Sequence, residues 1–117
     1  MHLTIETMSI EKAGEVSVVL VPGKALDASN SKDFKAGIAP LLTPGAKIVL
    51  DLSGLDFVDS SGLGAMVSSL RQISGVGGDL KLCALKKPVR ALIELVRMHR
   101  VFEIYNTREE ALAAFSK

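Results

Sequence analysis

Asp59-Ser60-Ser61-Gly62-Leu63-Gly64 is the segment whose residue types and spacing could carry chemistry. Two hydroxyls stand beside a carboxylate, just ahead of an apolar helical repeat. Asp59 is a natural N-cap, which puts Ser60 and Ser61 in the first turn of a helix. Backbone N–H groups there lack intrahelical partners, and the helix dipole favours negative charge. A phosphate on a serine hydroxyl at this place would meet free donors. Gly62 and Gly64 carry no side-chain bulk, so another protein could approach the helix start closely. The segment suits a modified serine presented to a partner. A plainer reading stays open at this stage: Asp-Ser-Ser is also a routine helix cap, and the glycines could serve tight packing alone.

Other chemistries lack their parts. A serine on a strand-to-helix turn resembles a nucleophile elbow, but that reading needs a histidine base oriented by an acid. The histidines are His2, near the start of the chain, and His99, which follows a helix end where it could cap the last carbonyls. No catalytic residue is therefore expected. The segment lacks the lysine and the spacing of a Walker phosphate loop. No His, Cys and carboxylate residues gather at ligand spacing, so neither a metal nor a cofactor is expected.

The flanking sequence supplies elements to hold this segment. Leu3, Ile5 and Thr7 alternate with polar residues, as on a half-exposed edge strand. After a turn at Lys12–Glu15, the β-branched run Val16–Val21 closes at Pro22-Gly23, and the two strands should form an antiparallel hairpin. Asp27 could cap a helix in which Phe34, Ile38, Leu41 and Leu42 share a face, although Pro40 should kink it or end it early. Lys47–Leu52 is nearly all apolar, as in a strand covered on both faces. Leu63, Met66, Val67, Leu70 and Ile73 repeat with helical period until Gly75-Val76-Gly77-Gly78. Asp79–Leu85 is a further strand. Pro88 opens a helix with Val89, Leu92, Ile93 and Val96 on one face. Val101–Tyr105 is a short strand, and Thr107-Arg108-Glu109-Glu110 fits a capping box for a last helix through Phe115. The order β-β-α-β-α-β-α-β-α implies an α/β fold: a mixed, mostly parallel sheet of about five strands, an N-terminal antiparallel hairpin and about four helices.

Composition narrows the class. A chain of 117 residues suits one domain, here residues 1–117, with no linker or repeat. Hydrophobic residues at 48% and charged residues at 23% are ordinary for a folded domain. A net charge of +1, with scattered basic residues, argues against direct nucleic-acid binding. The lone thiol, Cys83, cannot form an internal disulfide and reads as a small buried residue. The N-terminus lacks a signal-peptide pattern, and no apolar run reaches the roughly 20 residues of a membrane span. A cytoplasmic location is expected.

The run Asp51-Leu52-Ser53-Gly54-Leu55-Asp56-Phe57-Val58-Asp59-Ser60-Ser61-Gly62-Leu63-Gly64 resembles the signature of the STAS-domain anti-sigma factor antagonists. Gly23-Lys24-Ala25-Leu26-Asp27, Gly77–Leu82 and Pro88–Leu95 resemble further parts of that family, so the resemblance spans essentially the whole chain. It implies a STAS-like single domain that is a substrate and not an enzyme. It also implies a phosphoacceptor at Ser60, modified by an anti-sigma factor that is itself a serine kinase. The unmodified protein would bind that kinase and free the sigma factor. Phosphorylation would block binding, and a serine phosphatase would reverse it. Asp27 matches an aspartate on the loop beside the serine. Asp59 matches the aspartate before it, and Ser61, Gly62, Leu63 and Gly64 complete the expected partner-binding segment. Two departures stand out. Val96-Arg97-Met98-His99-Arg100 lacks the glycine often found near the end of the third helix, and Pro40 is unexpected in the first.

The resemblance alone leaves other partners open. The domain could serve a stress-signalling scaffold, a lipid-transport subunit or a chemosensory system. A phospho-aspartate receiver has similar length and a similar Lys87-Pro88 pair. Receivers need an acidic pair after the first core strand, however, and Val16–Val21 runs into Pro22-Gly23 instead.

Overall fold

Apolar residues fill both faces of two short strands, and the rest of the molecule is layered on them. In the computed structural model, which describes residues 1–116, the chain runs β1 (Thr4–Ile10), β2 (Gly14–Leu20), β3 (Ala25–Leu26), α1 (Ser31–Ile38), β4 (Lys47–Asp51), β5 (Phe57–Val58), α2 (Ser60–Gly75), β6 (Asp79–Cys83), α3 (Lys87–Leu95), β7 (Glu103–Tyr105) and α4 (Arg108–Ala114). The main sheet has five strands in the order β1-β2-β4-β6-β7. β1 and β2 are antiparallel, and every other pairing in that sheet is parallel. The expected α/β architecture is therefore present, with its N-terminal hairpin and four helices.

Strand alternation divides the core. Ile48 and Leu50 of β4 and Leu80 and Leu82 of β6 face one way, against Phe34 and Ile38 of α1, Ala65, Met66 and Ile73 of α2, and Val89 and Ile93 of α3. Val49 and Cys83 face the other way with Val16 and Val18, under Ala111 and Leu112 of α4. Each large side chain buried this way stabilises the fold by about 1.5–3 kcal/mol. The Cys83 thiol is pushed up to about 12, first by burial and then by the nearby Asp51 carboxylate.

Two charged clusters lie on the α4 side. Arg108 holds buried Asp51 at 2.7 Å through one guanidinium nitrogen and at 3.2 Å through Nε. Lys81, also buried, reaches Glu103 at 2.7 Å and Asp79 at 2.9 Å, and lies 4.6 Å from the centre of the Phe115 ring. These contacts fasten the first and last turns of the short α4 to the sheet.

Several local expectations are corrected. α1 ends early at Ile38, as expected of Pro40, which lies in a 3-10 turn, Ala39–Leu41; Leu41 and Leu42 therefore do not continue the helical face with Phe34 and Ile38. Asp27 does not cap α1. α1 begins at Ser31, so Asn30 occupies the N-cap position, and the Asp27 carboxylate instead accepts the Ser29 N–H in the turn before the helix. The last strand starts at Glu103, after a 3-10 turn at Met98–Arg100 whose first carbonyl accepts the Val101 and Phe102 N–H groups at 2.9 Å. β3 and β5 form a small parallel pair that periodicity could not reveal.

Candidate functional site

β4 delivers the chain to the C-terminal edge of the sheet, and β5 aims it into α2. Asp59 is the N-cap of α2, in extended backbone conformation. One of its carboxylate oxygens accepts the Gly62 N–H at 2.8 Å. The other accepts the Ala28 N–H at 3.1 Å. Its own N–H donates to the Leu26 carbonyl at 3.2 Å. One aspartate therefore closes the helix start and ties down the neighbouring loop that carries Asp27.

Ser60 and Ser61 are both exposed in the first turn of α2. Their N–H groups precede the first intrahelical bond, which runs from the Leu63 N–H to the Asp59 carbonyl. Asp27 is partly exposed on the tied loop. Its carboxyl is held below the usual carboxylate range by the Ser29 hydroxyl, and next by the Ser29 N–H. Asn30 supports the turn by accepting the Asp27 N–H at 2.9 Å and donating to the Ala25 carbonyl at 2.8 Å.

The two glycines differ. A Cβ on Gly62 would fall 2.1 Å from the Leu26 carbonyl oxygen, whereas one on Gly64 would meet nothing within 4 Å. Gly62 therefore does not open the helix start to a partner, contrary to the expectation from its lack of a side chain. Gly62 is buried, and its missing side chain lets β3 and α2 close on each other. Gly64 is the exposed one. Leu63 is half-buried against the core, so it offers at most part of its side chain to the surface.

The structure adds three residues to this pole. The Lys86 ammonium lies 2.8 Å from the Asp56 carboxylate across the β6–α3 connection. That contact, with Lys24 contributing less, holds the Asp56 carboxyl below its usual range. Phe57 of β5 is 55% exposed while its neighbour Val58 is buried. The alternation Phe57-Val58 was a signal in the sequence, but a two-residue strand is too short to be read with assurance from period alone. This pole presents two exposed serine hydroxyls, the Asp59 and Asp27 carboxylates on backbone tied by hydrogen bonds, and an exposed aromatic ring. Among the described residues, no group of three or more His, Cys, Asp or Glu side chains is placed to hold a metal ion. No helix there is long and apolar enough to cross a membrane.

Residues 7–111 match the STAS domain family, and the chain belongs to that family. The STAS domain is a regulatory and binding module and not a catalytic fold. A Bordetella bronchiseptica protein named as an anti-sigma factor antagonist, BtrV, is 31% identical over 109 residues, covering 92% of this chain and 93% of its own length. The crystal structure of a Thermotoga maritima protein named in the same way, TM1081, superposes with a TM-score of 0.80 at 29% identity, over 97% of this chain and 95% of that one. The phosphorylated form of the Bacillus cell-fate determinant SpoIIAA shares the fold, with a TM-score of 0.64 at 21% identity over 95% of this chain and 98% of that one.

Proposed function

We propose that this chain is an anti-sigma factor antagonist in which Ser60 is the phosphoacceptor. The observation that carries this reading is the exposed Ser60 at the first position of α2, between the Asp59 cap and the Asp27 loop that Asp59 holds in place. The relatives named as anti-sigma factor antagonists support it. The unmodified chain binds an anti-sigma factor that is a serine kinase, and so frees a sigma factor in the cytoplasm. The kinase modifies Ser60 and loses its grip, and a serine phosphatase restores binding. The chemistry belongs to the partners.

A phosphoserine brings about −1.5 to −2 of charge at neutral pH. Next to Asp59, and close to the Asp27 loop that Asp59 ties down, it adds to a local acidic group. A partner surface fitted to a neutral hydroxyl and two carboxylates then meets repulsion and a desolvation cost. A loss of roughly 3 to 4 kcal/mol weakens binding some hundreds-fold, enough for a switch. Asp27, Asp59, Ser61 and Gly64, with the exposed part of Leu63, form the contact surface in this reading.

The test is to recover partners from native extract with Ser60→Ala and with Ser60→Asp, then label each variant with the recovered kinase. Ser60→Ala should retain the kinase and take no label, and Ser60→Asp should release it. Labelling of Ser60→Ala as strong as that of the parent would remove Ser60 from the phosphoacceptor role.

A further inference from the structure

Strand alternation in β5 turns Val58 into the core, at 4% exposure, and leaves Phe57 outside, at 55%. Ile5, Leu95, Val96 and Val101 are also exposed, but Phe57 is the aromatic one of the five and the one next to the Ser60 segment; aromatic rings are the side chains most enriched at binding anchors. Phe57 and Ser60 are three positions apart, so their Cα atoms lie within about 11 Å of each other. A standard interface covers about 800 Å² on each partner, a disc of roughly 16 Å radius. A footprint of that size centred on Ser60 takes in the Phe57 Cα.

The backbone that carries the ring is held in advance. The Asp56 and Phe57 N–H groups donate to the Lys24 carbonyl at 2.7 and 3.2 Å, and β5 is paired with β3. The Asp56–Lys86 ion pair fastens this segment to the start of α3. Little backbone entropy remains to be lost when the ring is buried, which raises what it can contribute to binding.

We infer that Phe57 is the apolar anchor by which the Ser60 surface holds its kinase. The partner chemistry that fits is an apolar socket for one phenyl ring, next to the polar site that receives the Ser60 hydroxyl. The inference rests on the proposed role of Ser60, and it divides the labour: Phe57 supplies affinity in both phosphorylation states, while Ser60 sets which state binds.

Binding of the purified kinase, recovered as above, is measured by calorimetry against the parent, Phe57→Ala, Phe57→Leu and Ser60→Asp, and against Phe57→Ala combined with Ser60→Asp. Phe57→Ala should weaken binding about thirtyfold, as buried aromatic anchors do. Phe57→Leu should recover most of the loss, and both should melt within about 2 °C of the parent, as surface substitutions do. The Phe57→Ala factor should be the same with Ser60 and with Asp at that position. Binding by Phe57→Ala within about threefold of the parent, with Ser60→Asp still releasing the kinase, overturns the anchor and leaves the Ser60 reading standing. Binding by Ser60→Asp as tight as the parent's removes the Ser60 reading first, and the anchor with it.

Discussion

Asp59 accepts the Ala28 N–H at 3.1 Å through one carboxylate oxygen, and the Gly62 N–H at 2.8 Å through the other. The Ala28 bond spans 31 positions of sequence and joins the loop bearing Asp27 to the helix bearing Ser60. Replacing Asp59 by Ala removes a cap and frees that loop. The expected cost is about 1–2 kcal/mol. Thermal melting should register it as a fall of roughly 4–8 °C, and Asp59→Asn, which still accepts one bond, should lose less.

The glycines of α2 should respond in opposite directions. Gly62→Ala drives a methyl group to 2.1 Å from the Leu26 carbonyl, so β3 must move away. A destabilisation of about 2–4 kcal/mol follows, with weaker partner binding because the Asp27 loop moves too. Gly64→Ala meets open space and should raise helix stability by about 0.5–1 kcal/mol. Denaturant unfolding of both variants checks the contrast.

Stability at low pH should depend on Asp51. Burial pushes its carboxyl up, but hydrogen bonds from Arg108 and Ser53 outweigh burial and leave it below the usual range. A carboxyl depressed in the folded state contributes fully above its unfolded value, near about 3.9. That contribution is lost as pH falls from there through the folded value. Breaking a fully buried pair costs about 3–5 kcal/mol, and with Arg108 29% exposed the cost here falls below that. Asp51→Asn should therefore be less stable than the parent at neutral pH, and the gap should shrink below about pH 4. Equilibrium unfolding of both chains across that range measures the gap.

Arg97 sits at φ 61°, in the left-handed region, where α3 gives way to the Met98–Arg100 turn. A side chain there costs roughly 1 kcal/mol that glycine avoids. Arg97→Gly should raise Tm by a few degrees, read by calorimetric melting. Arg97 thus takes a left-handed position that a glycine would fill without strain.

Much of this arrangement was legible in the chain. The β-branched and apolar runs at Val16–Leu20, Ile48–Leu50 and Leu80–Cys83 have the composition of covered strands, and they form them. The Leu63–Ile73 repeat and the Asp59 cap gave α2 its start and its inner face. Asp27 lies one turn before the start of α1 and braces that turn through Ser29, an offset that spacing does not encode. β3 and β5 are too short to show a period. The Asp51–Arg108 pair links residues 57 positions apart, and only the folded chain brings them together. Gly62 has the same residue type as Gly64, and only the Leu26 carbonyl above it separates their roles.

The most direct measurement is the Kd of the purified kinase for the unmodified chain and for the same chain phosphorylated at Ser60. Weakening by some hundreds-fold, about 3 to 4 kcal/mol, is the result expected. Equal affinities for the two forms would contradict the switch outright.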